Sequence, residues 1–428
     1  MRMILGIDLG TSGIRTAVLD TSGKLVSMAQ QPLMPQDTSD INAELWWESV
    51  RRCIKTQIKT LNELGMNPHD ISAISVDGTS GTMLLTDANL QPVTRALMYD
   101  SKEFAHQAEE IGRVAPVFHI TRGSNSALAR ALHLMREDTD NRARHLLHQA
   151  DFITAKLTGI GGYSDYNNSL KTGFDPETES WPEWISDIGI DLTLFPKVRA
   201  PGTPIAKISK FVADQLGLPG NVTVYAGTTD SIAAFLACAE PESGVAVTSL
   251  GSTLVVKVMS EKRIDDPEIG LYSHRLGDGW LTGGASNTGG GVLAKYFTPD
   301  EIQKYCQRIN PKLSSGLDYY PLTKPGERFP VNDPALQPRM SPRPQRNSDF
   351  LHGLLEGMAN IEARCYQAIQ QRGGAFPHTI FTAGGGSTNQ TWKQIREVTL
   401  GQKIFNANHT EAAVGSARLV LMMGKDFD

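Results

Sequence analysis

Residues 3–20 read Met-Ile-Leu-Gly-Ile-Asp-Leu-Gly-Thr-Ser-Gly-Ile-Arg-Thr-Ala-Val-Leu-Asp. An apolar run enters Gly10-Thr11-Ser12-Gly13 and a second β-rich run, Ile14 to Leu19, leaves it, so the pattern is strand, glycine turn, strand. No helix opens at this turn. A nucleotide P-loop or a dinucleotide fingerprint needs the glycines to start a helix whose amino end holds phosphate, so both are disfavoured. What remains is a turn whose amides can cradle phosphate oxygens, with Asp8 placed to hold hydrated Mg²⁺ through its water shell. An ordinary glycine hairpin has the same pattern, and the stretch alone leaves both readings open.

Working outward, a helix is expected from about Ala43 to Leu64, with Trp46, Val50, Cys53, Ile54, Ile58 and Leu61 on its apolar stripe. Ile71 to Val76 reads as a strand entering Asp77-Gly78-Thr79-Ser80-Gly81-Thr82, and Met83 to Asp87 as its hairpin partner. Val222 to Ala226 leads into Gly227-Thr228-Thr229-Asp230, after which Ser231 to Leu236 looks helical. The opening pattern returns at Gly244 to Lys257, where a strand reaches Leu250-Gly251-Ser252-Thr253 and turns back. Such a repeat predicts two domains on one plan, residues 1–240 and 241–428, in keeping with a length of 428 residues. Pro321 to Pro344 reads as a surface excursion. A helix is expected from about Asp349 to Gln371, then a strand Thr379 to Ala383, the glycines Gly384-Gly385-Gly386, and a helix from about Asn389 carrying Trp392.

Composition excludes several classes. Apolar residues make up 40% and charged residues 20%, the balance of a soluble globular chain, and a net charge of −5 leaves no broad basic footprint for nucleic acid. No apolar run approaches a membrane span, and the chain enters a strand at once, so neither membrane nor leader is expected and the protein is read as cytoplasmic. The four cysteines are scattered and read as core thiols, not a zinc or disulfide framework. Nothing in the pattern speaks to oligomeric state.

Taken in order, these turns resemble the actin, hexokinase and heat-shock-protein 70 ATPase superfamily, and within it the FGGY carbohydrate kinases. The resemblance also rests on Trp46-Trp47, Leu97-Met98-Tyr99-Asp100, Asp151 with Lys156-Leu157-Thr158-Gly159, Ser164-Asp165-Tyr166-Asn167-Asn168 and Pro201-Gly202-Thr203-Pro204. It implies an α/β fold of two ribonuclease-H-like domains, each a mixed five-stranded sheet flanked by helices, with an interdomain cleft that closes about a hinge near residues 230–250. It further implies ATP and Mg²⁺ as cofactors and a small sugar as acceptor. Asp230 would be the catalytic base. As the first residue of a helix it equally suits a cap, and the two roles are compatible. Asp8 would serve Mg²⁺ and the transferring phosphate, Thr11 would donate to phosphate oxygens, and Gly251, Ser252 and Thr253 would hold phosphates. Gly384, Gly385 and Gly386 would let adenosine approach the backbone, with Asn389 beside the base and Trp392 stacking on it. Asp8, Ser12, Gly13, Ser80 and Asp230 would line the sugar.

The turn at Asp77 to Thr82 stands where xylulose kinases carry Ser-Gly-Gln-Met-His-Gly, and the chain is short for that group. This resembles a subgroup of short pentulose kinases and implies D-ribulose as substrate. D-xylulose, glycerol or another polyol is the alternative within the family. A nucleotide switch without a sugar acceptor is the alternative in a different class.

Overall fold

The structure is a computed structural model that describes residues 2–35, 41–101, 104–123 and 126–423. Its strands are β1 Met3–Leu9, β2 Gly13–Asp20, β3 Leu25–Pro32, β4 Ile71–Gly78, β5 Met83–Thr86, β6 His145–His148, β7 Tyr163–Asp165, β8 Lys197–Arg199, β9 Pro204–Lys207, β10 Thr223–Thr229, β11 Val245–Leu250, β12 Leu254–Ser260, β13 Tyr272–Leu276, β14 Gly279–Ser286, β15 Thr379–Ala383 and β16 Ile404–Asn406. The α-helices are α1 Ala43–Glu63, α2 Ala105–Val114, α3 Ala127–Glu137, α4 Gln149–Thr158, α5 Tyr166–Leu170, α6 Lys210–Leu216, α7 Asp230–Cys238, α8 Gly290–Tyr296, α9 Pro299–Cys306, α10 Asn347–Gln371, α11 Gln390–Leu400 and α12 Ala412–Met423. Among the described residues no helix is long and apolar enough to cross a membrane.

The chain forms two compact units, Met1–Ala237 with Glu411–Asp428, and Cys238–Thr410. A single boundary near residue 240 makes no allowance for this return of the chain's end to the first unit. The cause is packing of small residues. A Cβ on Gly6 of β1 would lie 1.9 Å from the carbonyl oxygen of Ala413, and one on Gly415 would lie 1.7 Å from that of Ala233. Backbone therefore meets backbone where α12 crosses β1 and α7, a contact that only glycine permits.

In the first unit the sheet order is β3-β2-β1-β4-β10-β9. β1 pairs antiparallel with β2 and parallel with β4, and β4 pairs parallel with β10. The expected hairpin of β4 with β5 does not form, because β1 and β10 already occupy both edges of β4; β5 pairs with β6 instead. One face of the sheet is covered by α1, which buries Trp46, Val50, Cys53, Ile54 and Leu61 as its period requires, while Ile58 is half-buried. Asn42 caps this helix, its side chain accepting from the Glu44 amide at 2.9 Å.

The second unit repeats the plan in the order β13-β14-β12-β11-β15-β16. β11 pairs antiparallel with β12 and parallel with β15, as β1 does with β2 and β4. Each sheet has six strands, not five; the additions are the edge strands β9 and β13. β13 arises from a tight turn at Gly277-Asp278, with Gly277 at φ 60°, a hairpin signal the sequence does carry. Residues 321–344 are not a simple surface excursion. Leu322 and Phe329 are fully buried in the same core as Leu351, Leu354, Leu355 and Met358 of α10, and the Phe329 ring fills the space left by Gly284. All four cysteines are buried thiols.

Candidate active site

The parallel register of β1 and β4 sets Asp8 beside Asp77 near the carboxyl ends of both strands. Asp77 is fully buried and Asp8 nearly so. The Ser416 hydroxyl of α12 donates to Asp77 Oδ2 at 2.5 Å, and Arg15 Nη1 reaches Asp8 Oδ2 at 3.4 Å while its Nε faces Glu411 at 3.3 Å. Burial pushes the Asp77 carboxyl well above the usual carboxylate range, and the charges of Asp8 and Asp230 push it the same way. Asp8 is also raised, again chiefly by burial, with its contacts to Asp77 and Arg15 pulling it back. Among the described residues Asp77 Oδ1 is buried without a hydrogen-bond partner.

Asp230 begins α7 directly after β10 and is half-buried. Its Oδ1 accepts from the Ser231 amide at 2.6 Å, satisfying one of the helix's orphan donors, so it does act on the helix start. Two features fix this strand end. A Cβ on Gly227 would fall 1.8 Å from the Val76 carbonyl oxygen, so β10 hugs β4 where its pairing shifts register. The short helix α5 then grips Thr228: Asn167 Nδ2 donates to its hydroxyl at 3.0 Å and Asn168 Nδ2 to its carbonyl at 3.1 Å. Asp165 caps α5, accepting from the amides of Asn167 and Asn168 at 2.8 and 3.1 Å and from Asn168 Nδ2 at 2.6 Å. Burial, reinforced by the charge of Asp151, raises its pKa to about 7. The Ser164 to Asn168 segment thus acts as a bracket for Asp230.

The remaining expected residues of this unit fall into two turns. The turn after β1 closes through Gly10 N–H to Gly13 C=O at 3.1 Å and leaves Thr11 and Ser12 exposed, with Gly13 pressed against the Gln31 carbonyl. Ser80 sits in the turn Thr79–Thr82, where Gly81 takes φ 84°.

In the second unit Gly251, Ser252 and Thr253 form the turn between β11 and β12, closed by Gly251 N–H to Thr253 C=O at 3.1 Å. The start of α8 grips it from behind: Gly290 N–H donates to Gly251 C=O at 2.8 Å and Gly291 N–H to Ser252 C=O at 3.0 Å. Alongside lies a cavity of about 710 Å³, lined on one wall by Gly385, Gly386, Thr388, Asn389 and Trp392 and on the other by Leu293, Ala294, Phe297, Ile302 and Cys306. Gly384, at φ 82°, does not line it but presses on the Leu250 backbone, which ties the two glycine turns together. Asn389 caps α11, its Oδ1 accepting from the Trp392 amide at 2.9 Å, and its Nδ2 meets the Cys306 sulfur at 3.3 Å. Trp392 lies in the cavity lining but is only 1% exposed, with its six-membered ring against Gly386. Its indole forms the floor under the glycine turn. In the apolar wall, α8 follows the run Gly289-Gly290-Gly291, whereas α9 has no glycine signature and only its amphipathic spacing could have pointed to it.

Both halves of the chain match models of one family. Residues 3–237 match the N-terminal domain, and residues 246–423 the C-terminal domain, of the FGGY family of carbohydrate kinases. The chain belongs to this family. Among its relatives is a protein named xylulose kinase from Bacillus subtilis, 23% identical over 98% of this chain and 88% of that one. Solved structures of like fold include xylulose kinase from Rhodospirillum rubrum, with a TM-score of 0.86 at 19% identity over 100% of this chain and 91% of that one. Plasmodium falciparum glycerol kinase with ADP gives a TM-score of 0.82 at 16% identity, over 100% of this chain and 90% of that one.

Proposed function

We propose that this protein is an ATP-dependent pentulose kinase, with Asp230 as the base that accepts the proton of the sugar's terminal hydroxyl. The observation that carries the reading is the gathering of Asp8, Asp77 and Asp230 in one acidic cluster, with Asp230 half-buried at a helix start and held by the Asp165–Asn168 bracket. As the hydroxyl oxygen bonds to the γ-phosphorus, its proton passes to the Asp230 carboxylate and ADP departs. Positioning and neutralisation of charge supply the rest of the barrier lowering.

Asp8 suits Mg²⁺ carried by the nucleotide. It lies beside Asp77, burial and the charge of Asp230 raise its pKa, and Arg15 is a cation that faces it. Such a cation would be held through water by this one carboxylate and by the nucleotide's phosphates. When bound, the ion would offset charge on the transferring phosphoryl. Thr11 and Ser12, exposed on the adjoining turn, would donate to phosphate and sugar oxygens, with the Gly13 backbone beside them. The nucleotide would occupy the cavity of the second unit, its base between the Gly385–Gly386 backbone and the wall of Phe297 and Ile302, its phosphates toward Gly251, Ser252 and Thr253.

The names of the relatives favour D-xylulose; the Asp77–Thr82 turn favours D-ribulose, its epimer at one carbon. A panel of ketopentoses, pentitols and glycerol in a coupled ADP-release assay tests the reading. We expect turnover on at least one pentulose to exceed that on glycerol. ATP turnover that no sugar raises would overturn it in favour of a nucleotide switch.

A further inference from the structure

The turn that carries Ser80 is surrounded by buried polar groups without partners. Arg130 of α3 is 2% exposed, and its Nε donates to the Gly81 carbonyl at 2.9 Å. The guanidinium lies so close to the turn that a Cβ on Gly81 would sit 2.7 Å from Nη2. Among the described residues its Nη1 has no partner. On the other side Gln149, 1% exposed, accepts at Oε1 from the Thr79 amide at 2.9 Å and from the Thr79 hydroxyl at 2.7 Å. A backbone N–H can only donate, so the atom facing it is the oxygen, and Nε2 is turned away. That Nε2 is buried and, among the described residues, unpartnered, as is Ser80 Oγ.

Groups like these are rarely left orphaned in a folded protein, and a buried guanidinium is the costliest of them. The two strongest are donors, so the missing partner is an acceptor. The fork of a guanidinium matches the in-plane lone pairs of an sp² oxygen better than it matches a hydroxyl. Although desolvation lowers its pKa to about 10, Arg130 stays protonated at neutral pH.

We propose that Ser80, Arg130 and Gln149 form the specificity subsite for the end of the substrate remote from the phosphorylated hydroxyl, with Arg130 reading a carbonyl or carboxylate oxygen. Ser80 was expected from the sequence to touch the sugar; Arg130 and Gln149 were not. The proposal rests on the kinase reading above and sharpens it to substrates with an sp² oxygen, either the ketone of a pentulose or the carboxylate of an aldonate.

The test compares wild type, Arg130→Met and Gln149→Glu on D-xylulose, D-ribulose, the matching pentitols and the matching pentonates. Gln149→Glu keeps the oxygen that holds Thr79 but replaces the free donor with an acceptor, so it probes the subsite even where Arg130→Met fails to fold. We expect wild type to prefer a pentulose or a pentonate over the pentitol by more than tenfold in kcat/KM, and which of the two it prefers identifies the oxygen. Each variant should raise KM for that substrate at least tenfold, shrink the preference over the pentitol, and leave KM for ATP unchanged. A variant that folds yet keeps both KM and preference overturns the proposal, as does a wild type that treats pentitol and pentulose alike. Should wild type phosphorylate none of these compounds, the kinase reading falls, and calorimetric titration of the same compounds still decides the subsite: unchanged binding in the variants, or no binding to wild type, overturns it.

Discussion

The turn after β1 and the turn after β11 are built alike and charged differently. Each is closed by its leading glycine, Gly10 N–H to Gly13 C=O and Gly251 N–H to Thr253 C=O, both at 3.1 Å, and each joins an antiparallel pair whose first strand has a parallel neighbour. In the first unit the residue two before that glycine is Asp8, registered with Asp77; in the second it is Ser249, registered with Ala383. One copy presents acids and the other amides and hydroxyls. Buried charge follows the same division. The carboxylate beneath the second turn, Glu362, is neutralised by Arg396 through contacts of 2.6 and 2.8 Å, with the Thr248 hydroxyl donating at 2.5 Å and Arg396 also donating to Thr382 at 3.0 Å. The first unit leaves Asp8 and Asp77 raised chiefly by burial, each raised further by the charge of Asp230. A scaffold satisfies its buried charges, whereas a site keeps some in need of a ligand.

The largest effect should come from the acidic copy. Asp230→Ala is expected to lower kcat by about 10²–10⁴-fold, the range for losing a general base, while ADP binding by calorimetry changes less than about twofold. Equal loss of transfer and nucleotide binding would reassign Asp230 to folding. Breaking the satisfied network should act on stability instead. Arg396→Met strands Glu362 in the core and is expected to cost about 3–5 kcal/mol in urea unfolding, whereas replacing both partners with apolar residues should cost far less. A single variant no worse than the double one would show that the pair is not what holds β11, β15, α10 and α11 together.

A smaller effect should be confined to the amide copy. Gly289 has φ 140°, and a Cβ there would lie 2.7 Å from the Thr253 carbonyl carbon and 2.8 Å from the Ser252 oxygen. Gly289→Ala must therefore displace the Gly251–Thr253 turn, and KM for ATP should rise about tenfold, a change of about 1.4 kcal/mol, with the sugar KM unaltered. A rise in the sugar KM instead would move these residues out of the nucleotide's reach.

How far the sequence carried can be seen residue by residue. Glycines before and after strand residues marked β1, β4, β10, β11 and β15, because close backbone approach leaves no room for a Cβ, and that constraint is local. The period of α1 was legible for the same reason. Ser416 was not: it lies 339 residues from Asp77, the acid it binds, and no local pattern announces a helix that crosses back to the opening strand. Nor could spacing show that β4 would be hemmed in and so reject β5, since edge availability belongs to the assembled sheet. Trp392 read as a stacking platform because an aromatic after a glycine turn suits both a ligand face and a core, and it lies in the cavity lining at only 1% exposure, which spacing cannot reveal. Arg130 and Gln149 carry no motif at all, and only their missing partners single them out.

A further effect is on the pH dependence of stability, and it tests a buried carboxyl whose partners are all neutral. Asp165 has a pKa of about 7 in the folded chain against 3.8 unfolded, raised first by burial and then by Asp151. Between about pH 4 and pH 7 the folded form holds a proton that the unfolded form has released, so stability falls as pH rises through this window and levels off above it. The slope from this one group is at most about 1.4 kcal/mol per pH unit. Asp8 and Asp77, also raised, act in the same direction. In Asp165→Asn the side-chain oxygen can still accept from the Asn167 and Asn168 amides, but an amine replaces the oxygen that Asn168 Nδ2 approaches at 2.6 Å. The variant should therefore be less stable at pH 5 yet lose less stability than wild type between pH 5 and 7.5. Because every other titrating group is common to both proteins, the difference between the two urea-midpoint profiles isolates Asp165. Parallel profiles would mean that its proton is already lost at pH 5 and that the bracket holds Thr228 as an ordinary ionised cap.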